Sequence, residues 1–443
     1  MHVCVVGLGY VGLSMATVMA HKGISVIGVD NNEERCSLIK KGKAPFFEPK
    51  LDDLLNTTLG KNLQITSDLN YALANCQICF ISVGTPSYPD DSPNLSFIEK
   101  VSLEIGRVLN KLDNGDFRAI AIKSTVPPST TETRIKSIME RVSGKKAGID
   151  FGVCMNPEFL REGSAVEDMF SPHLIVIGVT DERTKIIMLN LYRELYSNSL
   201  PRVLVTNIIN AELIKYANNA FLATKISFIN TIANVCSKIP GADVEIIAKA
   251  IGYDPRISPL FLKAGPGYGG SCLPKDVSGL LSFCRSIGYD PILLESIQLV
   301  NQNQALAVLQ MIQDKINDLQ GRTISVLGLS FKKNTDDIRE AVSIRIVQTL
   351  LELGASVKVH DPMALDNFRK LFHDKLIYCE NMIDCLRDAH CCVILAEWDE
   401  FKTLTSDDFR KYMKNPCVVD TLRVLEADKM TSIDYSAVGY GRL

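Results

Sequence analysis

Gly265-Pro266-Gly267-Tyr268-Gly269-Gly270-Ser271-Cys272-Leu273-Pro274-Lys275-Asp276 sets one cysteine between a glycine-rich approach and a helix start. Pro274 suits the first helical position, so the helix through Val277, Leu280 and Leu281 directs the positive end of its dipole toward Cys272. That field, with Lys275 beside it, favours the thiolate, the nucleophilic form of cysteine. The glycines let a substrate approach the backbone closely. Taken alone, a single cysteine in such a turn is more often a buried structural one.

Other segments offer complementary chemistry. Gly7-Leu8-Gly9-Tyr10-Val11-Gly12 follows an apolar strand and opens a helix, the context in which this glycine spacing holds a dinucleotide pyrophosphate on backbone N–H groups. Asp30 closes the next strand, where a carboxylate accepts from the ribose hydroxyls and repels a 2′-phosphate, so NAD is expected rather than NADP. Arg35 fits either a place along the adenosine or a solvated helix face. Thr85, after the run ending at Val83, and Lys123-Ser124-Thr125, after Ile122, put hydroxyls just past the carboxyl ends of strands, where open α/β sheets bind ligands. Ordinary turns use the same residue types.

Glu158 and Glu162 stand four apart in Asn156-Pro157-Glu158-Phe159-Leu160-Arg161-Glu162-Gly163. On a helix they share a face, either as a general base with a partner or as an exposed acidic surface. Lys215 and Asn219 are four apart on a strongly helical stretch, and together can donate to a developing oxyanion. Surface helices show the same spacing. Phe331-Lys332-Lys333-Asn334-Thr335-Asp336-Asp337-Ile338-Arg339-Glu340 follows a second glycine turn and fits a phosphate-binding loop or a charged loop before a capped helix.

The elements that must position these residues read as two α/β sheets. Strand, glycine turn, helix and strand succeed one another at Val3 to Val6, Leu13 to His21 and Ser25 to Val29. Buried strands are expected at Ile78 to Val83, Ala119 to Lys123 and Leu174 to Ile177, which predicts a doubly wound parallel sheet. Asn210 to Lys238 reads as one long helix, opening a helical region that runs to about Lys315. From Gly321 to Gly328 the strand-into-glycine pattern returns, with a helix from Ile338 to Leu353 and a strand from Ser356 to His360. The tail after Ala427 carries no clear pattern. Two Rossmann-like domains, 1–205 and 316–443, are thus expected on either side of a central helical domain, 206–315.

With 443 residues the chain is long enough for two or three domains. A net charge of -3 without a basic tract argues against nucleic acid as a partner. No window is long and apolar enough to span a membrane, and no leader precedes the first strand. The 13 cysteines are odd in number and lack a paired framework, so a reducing, cytoplasmic setting is expected. No metal site is expected.

In order along the chain, the glycine fingerprint, Lys123-Ser124-Thr125, Asn156-Pro157-Glu158-Phe159-Leu160, Lys215 to Asn219, Gly269-Gly270-Ser271-Cys272 and Phe331-Lys332-Lys333 resemble the nucleotide-sugar 6-dehydrogenases, the UDP-glucose/GDP-mannose dehydrogenase family. The resemblance spans the whole chain. The Gly-Gly-Ser-Cys-Leu-Pro-Lys-Asp form is similar to the UDP-glucose and GDP-mannose branches rather than the UDP-N-acetylhexosamine branch. Phe221 to Asn230 and Asp254 to Ile257 resemble the UDP-glucose branch, and GDP-mannose is the alternative substrate. A hydroxyacid dehydrogenase would have no use for Cys272, and a non-catalytic sensor would lack part of the set.

The resemblance implies a four-electron oxidation of a primary alcohol to a carboxylate, with NAD used twice and Cys272 carrying a thiohemiacetal and then a thioester. It implies that Lys215 and Asn219 stabilise oxyanions, Asp276 and Thr125 hold a water, and Glu158 acts as base in hydrolysis. By the same resemblance Gly7, Gly9, Tyr10, Val11, Gly12, Asp30, Arg35, Thr85, Ser124, Thr125, Glu162, Lys275 and Arg339 attend the cofactor. Glu158, Phe159, Leu160, Lys215, Asn219, Phe261, Leu262, Lys263, Gly265, Gly269 and Lys332 would hold the substrate. Arg256 would cross from the neighbouring subunit of a homodimer built on the long helix. One departure stands out: Asp420-Thr421-Leu422-Arg423 carries its arginine one position later than the family's usual Asp-Thr-Arg or Asp-Gly-Arg element.

Overall fold

The computed structural model describes residues 1–112, 117–197 and 199–441. Packing divides the chain into two compact units, one of residues 1–218 with 282–288, the other of residues 219–281 with 289–443.

The first unit is built on eight strands: β1 (His2–Val6), β2 (Ser25–Val29), β3 (Leu63–Thr66), β4 (Ile78–Ile81), β5 (Ala119–Ile122), β6 (Gly152–Met155), β7 (Leu174–Val179) and β8 (Arg202–Thr206). They lie in the order β3-β2-β1-β4-β5-β6-β7-β8. Alternate residues feed two cores. Val3, Val5, Phe80 and Ala121 face one layer, while Cys4, Val6, Ile81 and Ile122 face the other. Burial on both faces explains why these strands read as continuous apolar runs. Two strands depart from the expected parallel sheet, because β7 runs antiparallel to β6 and β8 follows β7 in parallel. Apolar periodicity carries no information on strand direction. The reversal means that the segment from Asn156 to His173 leaves and re-enters the sheet at its carboxyl edge.

That segment also corrects an expectation. Residues 156–164 form an irregular loop, not a helix, so Glu158 and Glu162 do not share a helical face. Glu158 Oε2 accepts from Leu160 N two residues on, a local bond that competes with helical pairing, and Gly163 sits at φ +75°.

The second unit carries six strands, β9 (Thr323–Leu327), β10 (Ser356–His360), β11 (Ile377–Tyr378), β12 (Cys391–Ile394), β13 (Cys417–Asp420) and β14 (Asp434–Ala437), in the order β11-β10-β9-β12-β13-β14. All of these pairs are parallel. The edge strand β14 lies in the tail that shows no clear sequence pattern, its four residues being Asp, Tyr, Ser and Ala. The helix expected from Ile338 begins at Val342, because residues 331–341 form a loop in which Glu340 adopts φ +51°. Cys391 and Cys392 are fully buried, as expected of core residues, and all thirteen cysteines are free thiols.

Helices Ile208–Cys236, Val244–Gly252, Leu273–Ser286 and Ile292–Gln313 make up the helical region. The first runs 29 residues without glycine or proline and ends before Pro240-Gly241. Among the described residues no helix is long and apolar enough to cross a membrane.

Candidate active site

In the first unit, Gly7 takes φ +92° after β1, and a Cβ there would meet the Ser82 carbonyl oxygen at 2.7 Å. A Cβ on Gly12 would lie 1.9 Å from the Gly7 carbonyl oxygen, so both glycines are required by the turn itself. Gly9 differs: nothing lies within 4 Å of its Cβ position. The helix that follows, Tyr10–His21, has neither a side-chain cap nor an acid in its first turn. An open backbone surface at an uncapped helix start fits a pyrophosphate. Asp30 accepts from Leu8 N at 2.8 Å, Asn32 N at 2.9 Å and Arg35 Nη1 at 3.0 Å, so Arg35 is tied to the Asp30 carboxylate. At the neighbouring strand ends, Thr85 Oγ1 donates to the Thr125 carbonyl at 2.8 Å and Ser124 Oγ to the Val83 carbonyl at 2.7 Å. The donor set fits NAD.

The second unit repeats the turn with a different outcome. Gly328 takes φ +95° and its N–H donates to the His360 carbonyl, as Gly7 does to Val29. Asp361 stands where Asp30 does. Its Oδ2 accepts from Leu329 N, Ser330 N, Ser330 Oγ and Trp398 Nε1, and its Oδ1 from Met363 N and Ala364 N. Six internal donors leave this carboxylate little capacity for a ribose.

The loop between β6 and β7 brings the first unit's charged groups together. Glu158 Oε1 lies 2.9 Å from Lys215 Nζ, with 7% and 3% of their side chains exposed. Glu158 Oε2 accepts from Leu160 N at 2.6 Å, and Lys215 sits over the Phe159 ring at 5.5 Å. Burial works to raise the Glu158 carboxyl, but Lys215, the Leu160 amide and Lys123 prevail and hold it below the usual range. Lys123 is buried too, donating to Asn156 Oδ1 at 3.0 Å and the Pro157 carbonyl at 3.3 Å. Desolvation pulls its ammonium down to about 8 against the attraction of Glu158. Glu162 is partly buried in the same loop. The spacing of Lys215 and Asn219 is therefore not a surface pattern, since both are buried one turn apart on the long helix.

In the second unit, Cys272 immediately precedes the helix Leu273–Ser286, and its carbonyl accepts the first helical bond, from Asp276 N at 2.9 Å. The helix thus begins one residue before Pro274. Cys272 and Cys284 are partly exposed, whereas the other eleven cysteines are buried. Asp276, 1% exposed, accepts from Asn219 Nδ2 at 2.6 Å and from Lys275 Nζ at 2.5 Å. The glycines approach the chain's own atoms: a Cβ would meet Leu422 at Gly265, the Glu340 carbonyl at Gly269 and the Phe331 ring at Gly270. The loop is fixed further by Asn230 to Gly265 N, Gln304 to the Gly265 carbonyl, and Asn301 to both Tyr268 N and its carbonyl.

The remaining predicted residues vary in setting. Leu262 is buried, Phe261 is partly exposed at φ +64°, and Lys263 pairs with Glu397. Lys332 lies over the Phe331 ring. Arg256 and Arg339 are exposed and form local pairs with Asp254 and Asp337. Arg423, at φ +53°, is engaged by Asp243 at 2.6 Å and 3.0 Å and by Glu245 at 3.3 Å, so the displaced arginine serves the start of helix Val244–Gly252. Sequence reasoning named Lys123 within a motif without giving it a role, and did not single out Glu212, Asn301 or Gln304. Each is a polar residue whose sequence setting looks like an ordinary strand end or helix face; burial sets Lys123, Glu212 and Gln304 apart, and the two bonds to Tyr268 set Asn301 apart.

Comparison with known proteins gives a concordant result. Residues 1–196 match the NAD binding domain of the UDP-glucose/GDP-mannose dehydrogenase family, residues 209–303 its central domain and residues 325–427 its UDP binding domain. A UDP-glucose 6-dehydrogenase of Rickettsia bellii (strain RML369-C) is 39% identical over 442 residues, 98% of each chain. The UDP-glucose 6-dehydrogenase TuaD of Bacillus subtilis (strain 168) is 37% identical over 441 residues, 99% of this chain and 93% of that one. The solved UDP-glucose dehydrogenase of Pyrobaculum islandicum superposes with a TM-score of 0.91 at 35% identity, covering 99% of this chain and 98% of that one.

Glu212, fully buried on the long helix, offers a test of the scaffold beneath the Ser124-Thr125 loop. Its carboxylate accepts from Ser129 N at 2.6 Å and Thr131 N at 2.8 Å, and burial pushes it from 4.5 up to about 7. Between those values the folded chain keeps a proton that the unfolded chain has released, so stability must fall as pH rises through that window. Urea unfolding from pH 4.5 to 7 should show the wild type losing up to about 3 kcal/mol relative to Glu212→Gln, whereas parallel pH curves would contradict it.

Proposed function

The chain belongs to the UDP-glucose/GDP-mannose dehydrogenase family, and from that membership we propose that it oxidises the C6 hydroxyl of UDP-glucose to the carboxylate of UDP-glucuronate. It is an NAD-dependent nucleotide-sugar dehydrogenase. The match of residues 325–427 to a UDP binding domain, and the UDP-glucose enzymes among its relatives, support the uridine nucleotide over GDP-mannose.

NAD bound at the Gly7 to Gly12 turn supplies the hydride acceptor for two successive oxidations. Loss of two hydrides and gain of one water turn a primary alcohol into a carboxylate, so four electrons leave and two NADH form. In the proposal Asp276 and Thr125 hold the water that takes the alcohol proton, and Lys215 and Asn219 donate to the C6 oxygen as charge develops there. Cys272 Sγ then attacks the aldehyde carbon, and the resulting thiohemiacetal keeps the intermediate on the protein for its second oxidation. Glu158 accepts a proton from the water that attacks the thioester, the C–S bond breaks and the thiolate leaves. Held ionised by Lys215, Glu158 has the protonation state a base requires.

The observation that carries this reading is the setting of Asp276: buried, bonded to Asn219 and Lys275, and in the first turn of the helix that follows Cys272. Glu162, Lys275 and Arg339 are assigned to the cofactor. Phe159, Leu160, Phe261, Leu262, Lys263, Gly265, Gly269 and Lys332 are assigned to the nucleotide sugar.

A homodimer is part of the proposal, with Arg256 crossing to the partner's substrate. Phe221, Phe228 and Val235 recur every seven residues along the long helix and are 65%, 52% and 49% exposed, an apolar stripe that a second copy would cover. Sedimentation of Phe228→Glu should give a monomer where the wild type gives a dimer, and an unchanged wild-type-like dimer would contradict the interface. For the reaction, the wild type should form two NADH per UDP-glucose consumed and turn GDP-mannose over poorly, and Cys272→Ala should lose at least about 1,000-fold in turnover. A preference for GDP-mannose would move the substrate assignment, and one NADH per sugar would remove the thioester.

A further inference from the structure

Glu48 lies in Pro45-Phe46-Phe47-Glu48-Pro49, outside every motif given a role above, and is 5% exposed. Its carboxylate gathers donors from two separate parts of the NAD-binding unit. One is the Tyr10 hydroxyl, which donates to Oε2 through a short hydrogen bond, and Tyr10 belongs to the glycine turn itself. The others come from the far end of the loop between β6 and β7: Gly163 N donates to Oε2 at 2.7 Å and Val166 N to Oε1 at 3.3 Å. Gly163 N also lies 2.6 Å from Tyr10 Oη, so tyrosine, carboxylate and glycine amide form one cluster. The Tyr10 ring is stacked on Phe46, with centroids 4.5 Å apart, which limits its freedom to follow another partner. Burial raises the Glu48 carboxyl above its ordinary value, prevailing over the opposing donors from Tyr10, Val166 and Gly163.

The loop is therefore held at two points. Glu158 fixes its beginning through Lys215, and Gly163 fixes its end through Glu48. Glu162 is the residue immediately before that second anchor, so its backbone position follows from it.

We propose that Glu48 is a positioning residue of the hydride-transfer site, setting the Glu162 end of the carboxylate loop in register with the glycine turn that holds NAD. The inference rests on the reading that assigns Glu162 to the cofactor. It accounts for the use of a buried carboxylate rather than an apolar residue, because only an ionised or strongly accepting group can satisfy a hydroxyl and two amides at once. An amide of the same size cannot do so: Glu48→Gln fills the space but turns one NH2 toward a donor.

The test compares Glu48→Gln and Glu48→Ala with the wild type, measuring NADH affinity by nicotinamide fluorescence, the KM values for NAD and UDP-glucose, and the deuterium isotope effect with UDP-glucose labelled at C6. We expect Glu48→Gln to fold with an unchanged affinity for UDP, to weaken NADH binding about tenfold, and to lose about 100-fold in kcat with the isotope effect increased, as displacement of a positioned group does. The KM for UDP-glucose should stay within about twofold. If Glu48→Gln binds NADH like the wild type and keeps its isotope effect, the residue only fills space and the inference is overturned. Should Glu48→Ala fail to fold, Glu48→Gln still decides. NADH affinity is read without any sugar, so it decides even if the wild type proves to oxidise a different nucleotide sugar.

Discussion

The buried ion pair between Glu158 and Lys215 is the interaction on which the proposed catalytic arrangement rests. Two charges with almost no solvent contact are tolerable only because they face each other at 2.9 Å and are backed by the Leu160 amide. Loss of one partner would strand the other, a penalty of about 3–5 kcal/mol for buried pairs. The irregular loop after β6 has no helix or strand ladder of its own, so its course depends on such side-chain anchors. Lys123 adds a second buried cation beside the same loop through Asn156 and the Pro157 carbonyl. The long helix supplies Lys215 to this cluster and, one turn later, Asn219 to Asp276.

The chain uses one backbone device twice and differentiates it with side chains. Gly7 and Gly328 make the same left-handed turn after the first strand of their sheets, and Asp30 and Asp361 close the second strands. Asp30 accepts from Leu8 N, Asn32 N and Arg35 Nη1, whereas Asp361 is saturated by six donors and shielded by Trp398. Similar folds therefore need not bind similar ligands. The difference agrees with family domains that bind NAD at one end of the chain and UDP at the other.

Much of this was legible in the sequence, and for a physical reason. The strands from Val3, Ser25, Ile78, Ala119 and Ser356 are short apolar runs bounded by turn residues, and the long helix has helical periodicity with no breaker. The glycine fingerprint is read from spacing because Gly7 and Gly12 are forced by close backbone contacts. The direction of β7 was not legible, since an apolar run looks the same in either orientation. The loop holding Glu158 and Glu162 shows a four-residue spacing that fits a helix, but such spacing is meaningful only once helicity is known. β14 was missed because four residues of mixed polarity give no periodic signal. Lys123, Glu48 and Glu212 are polar residues whose importance comes from burial, which arises only when distant segments pack over them.

The central claim is that Cys272 carries the sugar between the two oxidations. Glu158→Gln should retain the cysteine and slow release of the acid, so an acid quench during turnover with UDP-glucose and NAD should catch the covalent intermediate. Intact-mass analysis followed by peptide mapping should find the nucleotide-uronyl group as a thioester on Cys272. A variant that continues to form NADH while Cys272 is recovered unmodified at every quench time would contradict the account.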